Sequence, residues 1–209
     1  DRATAPLCAG LLSDRDAAVR RQALLALRQP GMLDERASDA VLAATRDADS
    51  EVRLQATYAL GEIGSQAAQD RLAELLRGSG PPGAKVSPEL LPPAELRAAA
   101  ALALGRAAQA RPAVPLAEAA WSALLAAVAA PAESAGAAAS TESGRRMELA
   151  EQRVRRAAAN ALTQAVVPSP GQKTALAAAL LAALRKARGD AAQSEVLTAL
   201  GGVLRGSPS

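Results

Sequence analysis

Two pairs of carboxylates are the residues whose types and spacing could most readily perform chemistry. Asp14 and Asp16 lie two residues apart, and Asp47 and Asp49 repeat that spacing. Neighbouring carboxylates could hold a cation or act as general acid and base. Each pair, however, directly precedes an apolar stripe with helical spacing, where carboxylates cap free N–H groups and interact favourably with the helix dipole. We therefore expect these pairs to cap helices.

The chain contains no histidine, which removes most catalytic and metal-binding chemistry. No Ser–His or Cys–His nucleophile pair can form, and the common zinc and iron ligand sets lack their imidazole. The single cysteine, Cys8, aligns with the apolar positions of Leu72 and Trp121, which indicates a buried and unreactive thiol and a packing role for the tryptophan. We predict a protein that is not an enzyme and that binds no cofactor and no metal.

An arginine recurs at one position of a repeated pattern. Aligned on residues 49–64, the copies share Val or Leu, then the arginine, Ala three residues later, and Ala-Leu three residues after that. Side chains at one repeat position should stack as a ladder, either as structural hydrogen-bond donors or as a site for an anionic partner. We favour the structural role. The arginines are Arg20, Arg53, Arg97 and Arg155.

The elements that position these residues are predicted to be amphipathic helices. The apolar residues of 52–63 recur at helical spacing, Asp49 can cap the helix start, and Gly64 can end the helix. Between the copies lies a second helix that contains an apolar pair, so the repeating unit is a helical hairpin. The apolar pairs are Leu11–Leu12, Val41–Leu42, Leu75–Leu76, Leu124–Leu125 and Leu180–Leu181.

The composition favours an all-α fold. Half of the residues are apolar, mostly Ala and Leu, and Phe is absent. Ala and Leu form helices well, whereas strand-favouring residues are scarce. The net charge is +3, and the positive excess lies in residues 112–209. No stretch is apolar enough for a membrane span and a lone cysteine cannot form an internal disulfide, so we expect a soluble, cytoplasmic protein.

The run D-x-x-V-R-x-x-A-x-x-A-L-G-x-I-G at residues 49–64, followed by a helix ending in Leu75 and Leu76, resembles a HEAT repeat of the PBS-lyase HEAT-like type. The resemblance covers nearly the whole chain. It implies a right-handed α-solenoid of about five helical hairpins, in which first helices line one face and second helices line the other. Deoxyhypusine hydroxylase shares this repeat, but its iron-binding His-Glu pairs have no counterpart here.

The same resemblance implies a role for the recurring arginine. In this family it typically hydrogen-bonds towards the turn Asp of a neighbouring repeat. Asp16 and Asp49 match that Asp, whereas Pro93 and Glu151 replace it in the later repeats. The resemblance therefore implies a structural ladder that is best formed in the first half of the chain.

Two connections between repeats are longer than the others, at residues 78–93 and 130–147. The first is rich in Pro and Gly and contains Leu90 and Leu91, an apolar pair that is unusual in a solvated loop. The second is typical of a flexible linker until it reaches Arg145 and Arg146. Because the two connections are neighbours in the array, we expect both insertions to emerge side by side at one edge.

A basic cluster follows the second insertion and is the most distinctive candidate surface. It could contact an acidic protein surface or, less favourably, nucleic acid, and an ordinary solvated helix face is the remaining alternative. Interspersed Glu148 and Glu151 and the lack of aromatic platforms argue against nucleic acid. The hypothesised partner-binding residues are Arg145, Arg146, Arg153, Arg156, Leu90 and Leu91; nearby basic residues are Arg155, Lys173, Arg185, Lys186 and Arg188.

The predicted function is a non-enzymatic protein–protein interaction scaffold that presents a curved helical surface. Two alternatives remain open: a nucleic-acid-binding HEAT-like module that uses the basic patch, and an assembly or regulatory domain of a larger enzyme. We predict one domain over residues 1–209. Because the chain begins inside a second helix and ends one helix short of a full unit, we expect it to be part of a longer protein.

Overall fold

The structure, a computed structural model, describes residues 4–29, 32–33, 35–77, 93–111, 115–130, 142–165, 170–187 and 190–205. The regular secondary structure within these ranges is entirely α-helical. The helices are α1 (Thr4–Leu11), α2 (Ala17–Leu27), α3 (Glu35–Ala44), α4 (Ser50–Ile63), α5 (Gln66–Leu76), α6 (Pro93–Ala110), α7 (Glu118–Ala129), α8 (Glu142–Gln164), α9 (Pro170–Lys186) and α10 (Asp190–Arg205).

These helices form two layers. The predicted first helices are the even-numbered ones, and each packs against the next, from α2 through α4, α6 and α8 to α10. The odd-numbered helices pack in the same succession from α1 to α9, and each also contacts the first helix that follows it in the chain. This arrangement confirms the predicted all-α solenoid. None of the described helices is long and apolar enough to cross a membrane.

Two aspartates determine where α2 and α4 begin. The Asp16 carboxylate accepts a hydrogen bond from the backbone N–H of Ala18. The Asp49 carboxylate accepts from the N–H groups of Glu51 and Val52. Both aspartates have extended backbone conformations, as N-cap residues do. The cap assignment made from the sequence is confirmed for both.

The turn between α4 and α5 depends on Gly64. This residue has a φ of 60°, in the left-handed region, and its N–H donates to the carbonyl of Leu60. A side chain is strained in that conformation, so glycine is the suitable C-cap. Ser65 follows immediately and caps α5 by accepting from the N–H of Ala68. The hairpin therefore turns within two residues.

Small residues allow close packing between neighbouring first helices. A Cβ atom added to Gly61 of α4 would lie 2.6 Å from the backbone oxygen of Ala103 in α6. A Cβ atom added to Gly105 of α6 would lie 3.2 Å from the Cα atom of Ala161 in α8. The leucine of each Ala-Leu pair is fully buried beside these contacts. These leucines are Leu27, Leu60, Leu104 and Leu162.

The flexible linker predicted between residue 130 and Arg145 ends earlier than expected, because α8 already begins at Glu142. Residues 142–147 belong to α8, which has 23 residues, compared with 14 in α4. The start of α8 carries Glu142 in its first turn, where a negative charge favours helix formation. We call residues 142–150 the α8 extension. Residues 131–141 lie outside the described residues, as do Leu90 and Leu91 and the whole of the first insertion except Pro93, which begins α6.

The α8 extension projects beyond its neighbour. Helix α8 begins 13 residues before Arg155, whereas α6 begins four residues before Arg97, the equivalent arginine. At 1.5 Å per residue, α8 is longer at this end by roughly 14 Å. The extension and the start of α6 lie along one edge of the first-helix layer, because residues from both line a common groove. Each of these helices follows one of the two long connections.

Candidate interaction groove

The ladder arginine of α2 pairs with a different aspartate from the one expected. The Arg20 Nε and Nη2 atoms donate to the Asp47 carboxylate at 2.7 and 2.6 Å. The expected partner, Asp49, is instead occupied as the N-cap of α4. Asp47 also accepts from the N–H of Asp49, which fixes the carboxylate in the turn that faces α2. The first two repeats are therefore linked by a bidentate pair, and the aspartate in that pair lies two residues before the predicted one.

The ladder arginines of α6 and α8 also reach forward to a carboxylate of the next first helix. Arg97 donates to Glu151 of α8 at 2.7 Å. Arg155 donates to Glu195 of α10 at 3.1 Å, and both side chains are almost fully buried. Burial raises the pKa of Glu195, although the Arg155 hydrogen bond acts in the opposite direction. Glu195 could not be identified from the sequence, because the other repeats have no carboxylate at its position.

Arg53 differs from the other ladder arginines. It donates to the backbone carbonyls of Asp47 and Ala48 and so closes its own turn. Burial lowers its pKa, and the charges of Asp47 and Asp49 partly offset that effect. All four ladder arginines are thus engaged in intramolecular hydrogen bonds, and those of α2, α6 and α8 link neighbouring repeats.

An open groove runs across the exposed side of the first-helix layer, which we call the first-helix groove. Its polar section has a volume of about 330 Å³ and its apolar section about 710 Å³. Tyr58 and Leu102 line both sections, so the two sections adjoin each other. The polar section is further lined by Arg28, Gln55, Arg106, Gln109 and Gln164; the apolar section by Leu54, Ala94, Glu95, Ala98, Ala99, Arg146, Met147, Leu149, Ala150 and Arg153.

Tyr58 forms the centre of the polar section. The guanidinium carbons of Arg28 and Arg106 lie 5.4 and 5.9 Å from the centroid of its ring, within cation–π range. Glu62 forms ion pairs with both arginines, since its Oε1 atom lies 3.0 Å from the Arg28 Nε and 3.6 Å from an Arg106 nitrogen. One carboxylate therefore serves two guanidinium groups, and this section keeps an excess positive charge.

The apolar section lies between α6 and the α8 extension. Leu102, Met147 and Leu149 are 43%, 62% and 56% exposed. Exposed apolar side chains that cluster in one depression are typical of interaction sites, whereas single exposed leucines are ordinary. Alanines of α6 and Leu54 of α4 complete its apolar lining, and Glu95, Arg146 and Arg153 are its charged residues. The apolar section could not be predicted from the sequence, because its lining combines residues of α4, α6 and α8.

The structure brings together some of the predicted partner-binding residues and separates others. Arg146 and Arg153 both line the apolar section, and Arg145 is exposed on the α8 extension. Arg156 lines a different hollow, of about 240 Å³, between α8 and α10. The predicted basic cluster is therefore divided between two surfaces. Leu90 and Leu91 lie outside the described residues, so their predicted role stays a prediction.

Other residues considered in the sequence lie away from the groove. Trp121 and Cys8 are buried, as expected from their shared repeat position. Lys173 and Arg185 lie on α9, in the second-helix layer. Among the described residues, no group of His, Cys, Asp and Glu is arranged to hold a metal ion. The apolar section of the groove, at about 710 Å³, is larger than the hollow of about 240 Å³ between α8 and α10.

Comparison with known proteins supports the repeat assignment. Residues 4–85 match the family model for HEAT repeats. The crystal structure of an engineered protein, a structural-genomics target, superimposes with a TM-score of 0.55 at 20% identity and covers 98% of this chain and 81% of that one. No curated protein sequence matches significantly. Residues 4–85 of this chain are therefore similar to HEAT repeats, and the described helices beyond them continue the same two-layer solenoid.

Proposed function

We propose that the chain is a non-enzymatic scaffold that binds another protein through the first-helix groove. HEAT repeats typically mediate protein interactions. The observation that carries the proposal is the apolar section of the groove, in which exposed Leu102, Met147 and Leu149 lie beside exposed arginines. Such a mixture of apolar and arginine side chains is enriched at protein interfaces. In this proposal, residues 1–209 act as one domain whose rigid helices present the groove.

The chemistry of the groove supports binding without catalysis. Its described lining consists of arginine, glutamine and apolar side chains, together with Tyr58 and Glu95. No nucleophile with an adjacent base lies among these residues, and covalent nucleophilic catalysis would require one. A partner would therefore be held by shape and charge complementarity.

Nucleic acid fits the groove less well than a protein does. The ring of Tyr58 is already engaged by Arg28 and Arg106, so it is not a free platform for a base. The exposed apolar residues of the α8 extension would also gain nothing from a phosphate backbone. The nucleic-acid alternative remains an outcome that experiments can identify.

Site-specific photocrosslinking in nuclease-treated extract from the source cells tests this proposal. A benzophenone amino acid replaces the exposed Leu102, and the control carries it at Ala178, which is exposed on α9 in the opposite layer. We expect a defined protein adduct from position 102 that is missing from position 178. Identical adducts at both positions, or adducts that form only in extract without nuclease treatment, would contradict the proposal.

A further inference from the structure

We propose that the occupant of the first-helix groove is a linear segment of a partner protein, in which apolar side chains adjoin two or more carboxylates. This inference rests on the proposed function and adds the chemistry of the partner. The apolar side chains occupy the apolar section, against Leu102 and Leu149, and the carboxylates bind the arginines of the polar section and the rim.

The charge of the groove selects acidic partners. Its described lining contains four arginines and one glutamate. A surface of this kind attracts carboxylates and repels basic segments, and the effect is largest on the rate of association. The four arginines are Arg28, Arg106, Arg146 and Arg153, and the glutamate is Glu95.

The arginines of the groove can donate hydrogen bonds to additional carboxylates. Arg28 and Arg106 share the single carboxylate of Glu62. Arg146 pairs with Glu142, but both side chains are 78% exposed, and such a surface pair contributes little. Arg153 is exposed and forms no ion pair with any described residue. A partner carboxylate would therefore gain charge-assisted hydrogen bonds without breaking a buried pair.

The polar section also suits an extended backbone. Gln109 and Gln164 lie on α6 and α8, and both side chains are exposed. Neither amide forms a hydrogen bond with another described residue. Each amide offers both a donor and an acceptor, which matches the N–H and C=O groups of a peptide in extended conformation. The two adjoining sections of the groove thus provide apolar, charged and backbone contacts.

Selection from a random peptide display library, performed on the intact chain, tests the inference. We expect the enriched peptides to combine apolar residues with Asp or Glu. Their affinity should fall at least about tenfold for the double variant R106Q/R153Q, because two charge contacts are lost. The matched control is R46Q/R185Q, which removes two exposed arginines outside the groove and should change affinity less than about twofold.

The outcomes separate this inference from the proposed function. One outcome is a set of enriched peptides that lack carboxylates and yet lose binding to the L102E variant. That result would overturn the proposed acidic character of the partner segment and leave the scaffold proposal standing. Peptides that bind all variants equally would overturn the inference, and failed crosslinking at Leu102 would then contradict the scaffold proposal independently. Binding of an oligo-dT probe that is lost in R106Q/R153Q, with no peptide enriched, would instead identify a nucleic-acid site.

Discussion

The first and last junctions between first helices use the same ladder arginine in opposite surroundings. The first junction joins α2 to α4 through Arg20 and Asp47, whose side chains are 14% and 11% exposed and share two hydrogen bonds. The last junction joins α8 to α10 through Arg155 and Glu195, which are 4% and 6% exposed, with one hydrogen bond of 3.1 Å. Among the residues that the structure describes, the Glu195 Oε1 atom has no hydrogen-bond partner.

The pKa shifts of the two carboxylates show what this difference means. Burial raises the pKa of Asp47, but the hydrogen bonds from Arg20 and from the N–H of Asp49, with nearby positive charge, outweigh burial and leave the pKa lowered. Burial raises the pKa of Glu195, and the Arg155 contact does not compensate. At the first junction, Arg20 therefore stabilises the charged form of its carboxylate partner. At the last junction, the equivalent Arg155 belongs to a buried ion pair whose hydrogen bonds are incomplete.

The substitution E195A should have the largest effect. It leaves the buried Arg155 without a counter-charge, which costs about 3 kcal/mol. Native-state hydrogen exchange of α10 amides measures the local opening free energy. The double variant R155M/E195M should recover most of this loss, because an apolar pair can replace a buried ion pair. Equal losses in the single and double variants would show that packing, not charge, determines the effect.

The substitution G202A should have the next largest effect, again at the last junction. A Cβ atom at Gly202 would lie 2.6 Å from the backbone Cα of Thr163, so α10 must move away from α8. We expect a destabilisation of about 2 kcal/mol, measured by hydrogen exchange in α10. The control is G171A in α9, where an added Cβ meets nothing within 4 Å. Similar losses in both variants would refute the close packing of α8 and α10.

At the first junction, D47N should have a smaller effect than E195A has at the last. Asparagine keeps the shape of the side chain but loses its charge, so the bidentate pair with Arg20 weakens by about 1.5 kcal/mol. Hydrogen exchange in α2 reports this loss. Arg20 would remain bonded to the carbonyls of Asp14 and Arg15, which limits the damage. A loss in α2 as large as that of E195A in α10 would remove the contrast between the junctions.

The smallest expected effect is an opposite response of the two junctions to pH. The folded pKa of Glu195 is raised above its ordinary value of 4.5, so its stabilising contribution is complete below that value and is lost as pH rises through the raised pKa. The folded pKa of Asp47 is lowered below 3.8, so its contribution is present above that value and is lost as pH falls through the lowered pKa.

Hydrogen exchange, corrected for intrinsic rates, can resolve this response. As the pH falls from neutrality to about 4.5, the opening free energy of α10 should increase while that of α2 changes little, because of these two carboxylates only Glu195 has a raised pKa. Further acidification should lower the opening free energy of α2. Parallel changes in both helices would show that net charge, and not these two carboxylates, governs the response.

The fold could be predicted because its signals are local. Buried Leu60 and Leu104 recur at fixed positions, and Asp49 and Gly64 mark the ends of one helix. The start of α8 was missed because Ser143 and Gly144 are weak helix formers, whereas the residues after them favour a helix. Local sequence therefore predicted the elements better than their boundaries.

The site could be predicted only in part, since it depends on which exposed side chains meet. Arg146 and Arg153 could be identified as exposed basic residues, but their position beside Leu102 follows from the packing of α6 against α8. Similarly, the carboxylates that pair with the ladder arginines occupy different offsets, as Asp47 and Glu195 show. No single repeat position could reveal them.

The positive charge of the first-helix groove is carried by guanidinium groups alone, because no lysine or histidine is among its described lining residues. Guanidinium stays protonated at any physiological pH, and lysine acetylation has no target there. The charge of this surface is therefore permanent across cellular conditions. Control over a complex formed in the groove must come from the partner, for example through a change in its number of negative charges, or from ionic strength.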